Sequence, residues 1–374
     1  MSQGLDPSPM MARALYLARA GLGNAWPNPA VGCVLVKDDV ILAEGWTQPG
    51  GRPHAEVHAL DQAGQAARGS TAYVTLEPCA HHGKTGPCAE ALVAAGVARV
   101  VVALGDPDPR VAGRGIEILR AAGIAVDLGD GAAQARGINR GFLKRTELGV
   151  PWITLKLAVS LDGRIALGNG QSRWITGPDA RQFVHQERVR HDAILVGAGT
   201  ARADDPSLDV RGIEVTQQPV RIVADPGLSL SLTSRLAQTA GAQPVWLMHG
   251  RGVDAARATT FGDLGIRLFE VAQRDDGALD LMDAALSLGK AGLTSVLCEG
   301  GGRLAAALIA ADLVDELIMI QSGKVIGGDG VPAIGTMGLD DLDTVPKFQL
   351  ADSFAAGGDL VSRWISGAKA APKG

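Results

Sequence analysis

Short β-branched runs alternate with helix-compatible stretches along the sequence, and this alternation limits the possible fold more than any other feature. In the first part of the chain, strands are predicted at 30–36, 40–44, 71–76, 97–104 and 124–126, and helices near 10–18, 55–64, 89–95 and 113–122. The first two strands are close enough to form a hairpin. Strands that alternate with helices are typical of a layered α/β sheet.

The same alternation restarts after a charged segment that ends in Gly149-Val150-Pro151. Further strands are predicted at 152–158, 193–196, 220–224, 244–248, 295–298 and 316–321, with a helix near 179–190. The 374 residues exceed what one compact domain usually holds. We therefore expect two α/β domains in tandem, 1–149 and 150–374.

Composition excludes several classes of protein. The net charge of −5 gives no general attraction to a polyanion, which argues against a nucleic-acid partner. The longest apolar run, 304–311, is shorter than the roughly 20 residues of a membrane helix. No basic segment followed by an apolar one opens the chain, so we expect a cytoplasmic protein. Four cysteines are too few for a disulfide scaffold, which leaves thiols available for a metal.

A candidate zinc site lies in the first part of the chain. His54 and Glu56 stand where a Gly/Pro-rich loop gives way to a helix, Cys79 follows a strand, and Cys88 begins another helix after eight intervening residues. One imidazole and two thiolates leave one tetrahedral position open, as catalytic zinc requires. Zinc lowers the pKa of bound water to about 7. Glu56 would then be the proton shuttle of a deaminase.

Two other interpretations of these residues remain. A closed structural zinc site would need a fourth ligand, for which His58, His81 and His82 are candidates. Alternatively, the cysteines could be core residues without a metal. Cys33, in the middle of an apolar strand, is interpreted as a packing residue.

Two glycine-rich turns follow strands in the second part. Bare glycines at 300–302 would let backbone N–H groups approach a phosphate at a helix start, although a tight strand-to-helix turn has the same pattern. A second turn spans 197–200, and two such turns suggest a cofactor crevice. Glu299 could bind a substrate hydroxyl or ring N–H. Arg188 and Arg211 could bind a phosphate, or be solvated charges.

Taken together, these motifs resemble the family of bifunctional riboflavin-biosynthesis deaminase–reductases. The resemblance rests on residues 27–33, 54–56 and 77–88 in the first part, and on 156–163, 172–176, 204–206 and 299–302 in the second. The gap of eight residues between Cys79 and Cys88 is also typical of this family, whereas nucleoside and tRNA deaminases typically have two.

The resemblance implies a cytidine-deaminase-like three-layer α/β/α domain followed by a dihydrofolate-reductase-like α/β domain. The first would hydrolyse the 2-amino group of a diaminopyrimidinone that carries a ribosylamino 5′-phosphate. The second would reduce the ribosyl group to ribityl with NADPH. One zinc ion per chain would bind His54, Cys79 and Cys88, with Glu56 as proton donor and Lys84 holding the substrate. A small-molecule substrate and a homo-oligomer are implied as well.

In the reductase half, the resemblance implies two sets of binding residues. The substrate set is Ser172, Arg188, Leu208, Arg211 and Glu299. The NADPH set is Ala158, Trp174, Thr200, Asp204, Gly301, Gly302, Arg303, Leu304, Ala305, Ala306 and Ala307. Lys156 and Asp204 are candidates for polarising the substrate or relaying a proton, and Trp174 could otherwise be ordinary core. Two positions at which the resemblance implies a possible substrate contact depart from the family pattern: Thr47, where His is common, and Asp108, where Asn is common.

Two competing functions make different predictions. A base deaminase acting on tRNA or DNA would use the same zinc chemistry, but the acidic balance and the cysteine gap oppose it. A structural zinc module with a nucleotide-sensing domain would have four protein ligands and no water on the metal.

Overall fold

The chain divides into two compact units between Gly149 and Val150. The computed structural model describes residues 6–83 and 85–367. Each unit is an α/β domain built on one main sheet, so the prediction of two α/β domains is confirmed. Among the described residues, every helix is too short or too polar to cross a membrane.

The first domain is built on a five-stranded sheet of order β2-β1-β3-β4-β5. Its strands are β1 (Gly32–Lys37), β2 (Val40–Trp46), β3 (Thr71–Val74), β4 (Arg99–Val102) and β5 (Ala125–Leu128). Its helices are α1 (Pro9–Ala18), α2 (Ala55–Ala63), α3 (Cys88–Ala95), α4 (Arg114–Ala121), α5 (Ala132–Ile138) and α6 (Arg140–Leu148), with short 3-10 turns at Arg19–Gly21, Pro49–Gly51 and Gly64–Ala67. Strand β1 runs antiparallel to β2 and β3, whereas β3, β4 and β5 are parallel.

Helices cover both faces of this sheet because successive side chains of a strand point to opposite faces. One face packs against α2, α3 and α4 through a cluster that includes Cys33, Leu35, Ala59, Leu92 and Leu119. The other packs against α1 and α5 through Met11, Leu15, Val34, Val36 and Ala135. The domain is therefore a three-layer α/β/α structure, and the interpretation of Cys33 as a packing residue is confirmed.

The second domain has a nine-stranded main sheet and a separate two-stranded one. Its strands are β6 (Trp152–Val159), β7 (Arg164–Ala166), β8 (Ala193–Gly197), β9 (Val220–Ala224), β10 (Val245–His249), β11 (Arg267–Glu270), β12 (Ser295–Cys298), β13 (Glu316–Gln321), β14 (Val331–Pro332), β15 (Phe348–Ala356) and β16 (Asp359–Ser366). Its helices are α7 (Pro178–Val189), α8 (Ala198–Asp204), α9 (Arg235–Gln238), α10 (Ala255–Asp263), α11 (Leu281–Lys290) and α12 (Gly302–Ala310).

The strand order of the main sheet is β11-β10-β9-β8-β12-β6-β13-β16-β15. The strands from β11 to β13 are all parallel, and β16 and β15 complete the sheet in antiparallel pairing. This order places the carboxyl ends of β8, β12 and β6 side by side. Ligands of open α/β sheets bind beyond such strand ends.

Several features of the fold differ from the expectations. The charged segment before Gly149, for which no helix was predicted, forms the amphipathic helix α6, which buries Phe142 and Leu143. The second glycine turn is shorter than expected, because α8 begins at Ala198 directly after β8. Strands β15 and β16 were not predicted, and most residues of β15 are exposed, so its sequence lacks the apolar pattern of a buried strand.

Candidate functional sites of the two domains

His54, Cys79 and Cys88 converge at one point of the first domain. Nδ1 of His54 lies 3.2 Å from Sγ of Cys88 and 3.6 Å from Sγ of Cys79. The three donor atoms all lie within 4.8 Å of one another. Zinc bonds of about 2.0–2.3 Å to nitrogen and sulfur require donor atoms gathered this closely. The donor set and its spacing therefore fit a zinc ion.

Two helix starts position these ligands. His54 immediately precedes α2, Cys88 is the first residue of α3, and the Cys88 amide donates a hydrogen bond of 3.2 Å to Sγ of Cys79. Hydrogen bonds from the Cys88 thiol, from His54 and from the Cys88 amide outweigh burial and lower the pKa of Cys79 to about 4. Cys79 is therefore a thiolate at neutral pH, the form that binds metals.

Glu56 lies in the first turn of α2 and is 3% exposed. Burial, with the nearby negative charge of Cys79, raises the pKa of its carboxyl group to about 7. A carboxyl group with a pKa close to neutrality can both accept and release a proton. Glu56 is not one of the clustered donors, which leaves it free for this chemistry.

The structure gives no support to a fourth protein ligand. Within residues 6–83 and 85–367, none of His58, His81 and His82 belongs to the donor group. His58 packs edge-on against Trp46 and contacts Gln48. The described residues thus supply three ligands, as an open catalytic site requires.

Lys84, expected to hold the substrate, lies outside the described residues. Thr47 and Asp108, the two departures from the family pattern, both have partners. The Thr47 hydroxyl accepts a hydrogen bond of 3.0 Å from the Val31 amide, so it braces the end of the β1–β2 hairpin. The Asp108 carboxylate pairs with the guanidinium of Arg110, whose Nε lies 3.0 Å away.

In the second domain, Glu299 is the centre of a cluster of charges. It follows β12, and Arg188 donates hydrogen bonds to its carboxylate from Nε (2.7 Å) and Nη2 (3.1 Å). Lys156 Nζ lies 3.8 Å away on the neighbouring strand β6. Although burial opposes ionisation, the charges of Arg188 and Lys156 lower the pKa of Glu299 to about 2. Burial in turn lowers the pKa of Lys156.

The glycine-rich turn after β12 meets the start of α8. The Gly301 amide donates a hydrogen bond of 3.2 Å to the Thr200 hydroxyl, which brings two predicted cofactor residues together. Gly302 is needed for another reason as well, since a Cβ there would lie 2.6 Å from the Pro332 carbonyl oxygen. The close approach at Gly302 supports the interpretation as a tight structural turn, and the interpretation as a phosphate-binding helix start stays a prediction.

The other predicted cofactor residues lie on several elements. Ala158 is on β6, and Asp204 ends α8, where its carbonyl accepts a hydrogen bond of 2.9 Å from Arg173. Trp174 is 62% exposed, so the alternative that it is ordinary core is wrong; Arg181 lies over its ring. Residues 302–307 form the first turns of α12, with Ala305 and Ala306 buried, Arg303 exposed, and Leu304 and Ala307 between these extremes.

The remaining predicted substrate residues differ in exposure. The Leu208 side chain is buried in the core, so its backbone is the part that could face a ligand. The Arg211 guanidinium is exposed, with Nε 3.4 Å from Asp209. Ser172 is partly exposed on the segment that carries Trp174.

Sequence reasoning assigned no role to Asp162, which organises the loop after β13. Its carboxylate accepts hydrogen bonds from Ser160 Oγ (2.6 Å) and from the Ile326 and Gly327 amides (3.1 and 2.7 Å). Lys324 of this loop contacts the Trp174 carbonyl. The separation of 164 and 165 residues between Asp162 and these two amides left no local signal for the contacts.

Two family models match the chain, one for each domain. Residues 6–104 match the cytidine and deoxycytidylate deaminase zinc-binding region, and residues 151–362 match the RibD C-terminal domain. Together with the geometry, these matches define a bifunctional enzyme, a deaminase joined to a reductase, for which zinc and a nicotinamide cofactor are implied.

Full-length relatives extend the comparison. The chain is 44% identical to the riboflavin biosynthesis protein RibD of Escherichia coli, over 94% of this chain and 96% of that protein. Among solved structures, Acinetobacter baumannii RibD matches with a TM-score of 0.85 at 38% identity, over 95% of this chain and 97% of that one. A deaminase/reductase from Thermotoga maritima matches with a TM-score of 0.82 at 32% identity, over 96% and 97%. The chain belongs to the RibD family of bifunctional deaminase–reductases of riboflavin biosynthesis.

Proposed function

We propose that residues 1–149 deaminate 2,5-diamino-6-ribosylamino-4(3H)-pyrimidinone 5′-phosphate and that residues 150–374 reduce the product to 5-amino-6-ribitylaminouracil 5′-phosphate with NADPH. The convergence of His54, Cys79 and Cys88 beside the buried Glu56 carries the proposal. The Thermotoga maritima relative is described as a diaminohydroxyphosphoribosylaminopyrimidine deaminase and 5-amino-6-(5-phosphoribosylamino)uracil reductase, which supports the choice of substrate.

In the deaminase reaction, His54, Cys79 and Cys88 hold the zinc, which when bound makes water acidic enough to be a nucleophile at neutral pH. Glu56 accepts a proton from the attacking water on a carboxylate oxygen. It passes this proton to the ring nitrogen, then takes the second proton of the water from the hydroxyl group added to the pyrimidine and delivers it to the leaving amine, which departs as ammonia as the C=O bond forms. Burial raises the pKa of this carboxyl group, which favours its holding a proton between the two transfers. Lys84 is assigned to substrate binding by its position in the motif.

In the reductase reaction, NADPH supplies a hydride to C1′ of the ribosyl group. Lys156 gives a proton to the ring oxygen as the ring opens, and the transfer is eased because burial lowers the pKa of its ammonium group. Glu299 binds a substrate hydroxyl or N–H. Its carboxylate oxygen Oε2 lies 3.8 Å from Nζ of Lys156 and keeps this side chain oriented. The substrate and NADPH sets named from the sequence line the site, and Asp204 is a second candidate for the proton relay. We expect a homo-oligomer that binds no nucleic acid.

A coupled assay tests the proposal. The purified protein should hold about one zinc per chain, release ammonia from the diaminopyrimidinone nucleotide, and oxidise NADPH in preference to NADH only once the deaminated product is present. Glu56→Ala should keep its zinc, release no ammonia, and still reduce supplied deaminated intermediate. Deamination by Glu56→Ala at the wild-type rate would exclude the proton-shuttle role, and the absence of ammonia release by the wild type would overturn the proposed substrate.

A further inference from the structure

Glu77 has a buried carboxylate whose hydrogen bonds all go to one stretch of backbone. It is 4% exposed and lies two residues before Cys79. The carboxylate accepts hydrogen bonds from the amides of Gly115 (3.0 Å), Gly113 (3.1 Å), Asp106 (3.3 Å) and Ile116 (3.4 Å). Three of these amides belong to the start of α4, where unpaired N–H groups and the helix dipole favour a negative charge.

Glu77 and Pro78 also pack closely against the start of α4. A Cβ on Gly115 would lie 2.0 Å from the Pro78 carbonyl oxygen and 3.3 Å from Cγ of Glu77. Only glycine permits this approach of the helix to the Glu77–Pro78 backbone. The start of α4 is therefore fixed to the two residues that precede Cys79 by hydrogen bonds and by contact.

On its other side, Cys79 is fixed to the start of α3. Its carbonyl accepts a hydrogen bond of 3.2 Å from the Ala89 amide, and its sulfur accepts one of 3.2 Å from the Cys88 amide. Residues 77–79 thus bridge two helix starts. One of the two carries the ligand Cys88, and the other is joined to residues 77–79 through the Glu77 hydrogen bonds and the Pro78 contact.

We propose that Glu77 is a positioning residue of the metal site. By fixing residues 77–79 to α4, its carboxylate sets the place of the Cys79 sulfur relative to His54 and Cys88, and so determines how firmly zinc is retained. The inference rests on the proposed function, since it takes zinc as the metal that the cluster binds. Partners behind a metal ligand typically change metal affinity by about 10- to 100-fold when they are lost.

Glu77 also orders the loop that carries Asp108. The Asp106 amide binds Glu77, and the Asp106 carboxylate accepts a hydrogen bond of 2.9 Å from the Asp108 amide. One carboxylate therefore fixes a metal ligand and, through Asp106, a loop residue that the family pattern associates with the substrate. Loss of Glu77 should affect zinc retention first and substrate binding second.

Glu77→Gln is the most direct test variant, because it keeps the size of the side chain while one acceptor oxygen becomes an NH2 group facing backbone N–H donors.

Asp130→Asn is the matched control in the same domain. The Asp130 carboxylate accepts hydrogen bonds from the amide and the hydroxyl of Ser8, just before α1, and so also secures a helix start. Gly115→Ala is a second route to the same effect, since it displaces α4 from Pro78 without removing the carboxylate.

The measurement is the rate at which zinc passes from the holoenzyme to a chromophoric chelator, with circular dichroism confirming that each variant is folded at the assay temperature. We expect zinc loss to be at least about tenfold faster in Glu77→Gln and Gly115→Ala, and unchanged in Asp130→Asn. In the metal-free protein, Cys79 should react faster with a thiol reagent in the two variants.

Zinc loss within twofold of the wild-type rate in folded Glu77→Gln would overturn the inference. If Glu77→Gln does not fold, an unchanged zinc-loss rate in folded Gly115→Ala overturns it equally, and so does unfolding of both variants, because Glu77 is then a residue of general stability. A wild-type protein that binds zinc but releases no ammonia would contradict the proposed function and leave this test of zinc retention intact.

Discussion

Arg188 holds Glu299 by two parallel hydrogen bonds of 2.7 and 3.1 Å, and a further donor of the same guanidinium, Nη1, binds the Asp209 carbonyl over 2.7 Å. Three of the five N–H donors of the guanidinium are used in these contacts, and the proposed function assigns the other two to the substrate phosphate. The side chains of Arg188 and Glu299 are only 12% and 10% exposed, so their charges interact with little screening by water. Arg188 therefore fixes the orientation of the Glu299 carboxylate.

The charge of Glu299 should make the second domain sensitive to acid. Arg188 and Lys156 lower the pKa of Glu299 from an ordinary 4.5 to about 2, so its stabilising effect is fully present above pH 4.5 and disappears as the pH falls toward 2. The shift corresponds to about 3 kcal/mol. Urea unfolding should show that Glu299→Gln is destabilised relative to the wild type at pH 5.5, and that the difference shrinks at pH 3. The exposed Glu214→Gln is the control, and a difference independent of pH would contradict the assignment.

Arg188→Met should change both substrate affinity and the pH profile of the reductase. Without the guanidinium, the pKa of Glu299 rises, so the acid limb of kcat should move to higher pH. The KM for the phosphorylated substrate should rise by about tenfold or more, since a two-pronged contact is lost. Arg188→Lys keeps the positive charge but lacks the planar fork of donors. Its acid limb of kcat should therefore lie close to that of the wild type, while its KM for the phosphorylated substrate should remain raised. An unchanged pH profile in Arg188→Met would show that Glu299 does not depend on Arg188.

Thr200→Val should weaken cofactor binding. The variant removes the hydroxyl that accepts the hydrogen bond from the Gly301 amide, and this bond joins the two turns where the cofactor is proposed to bind. We expect the KM for NADPH to rise by roughly five- to tenfold, in line with a hydrogen bond of about 1 kcal/mol, with a small change in kcat. Thr200→Ser keeps the hydroxyl and should behave as the wild type. An equal KM for NADPH in Thr200→Val and in the wild type would contradict the proposed cofactor contact.

The cysteines should separate into a metal-binding and a packing class. Cys88→Ser should lose zinc and ammonia release, while reduction of supplied deaminated intermediate persists. Cys33→Ala should keep zinc, because Cys33 is buried in the core of the sheet and is absent from the donor cluster. The Cys33→Ala substitution should lower the free energy of unfolding by about 1 kcal/mol. Metal analysis and denaturant unfolding of both variants check this, and zinc loss from folded Cys33→Ala would be the contrary result.

The strands were predictable where their sequences are short apolar runs. The predicted bounds of β9, β12 and β13 agree with the structure because these strands are mostly buried, so that their apolar composition marks them from end to end. Strand β15 has the opposite character. Its residues are mostly exposed, so neither burial nor apolar alternation distinguishes them from a loop, and its pairing with β16 is what forms it.

The sequence by itself determined the α/β alternation and the residues of the candidate metal site, since both depend on patterns within short segments: apolar periodicity, and ligand types at two helix starts. Only the tertiary structure decided that Arg188 faces Glu299, 111 residues away, and that Glu77 binds amides 29 to 39 residues farther along. These pairings depend on the order of strands in the sheet and on the packing of α4 against residues 77–79. Local residue patterns do not specify which strand or helix end comes to lie beside which, because long-range packing decides it.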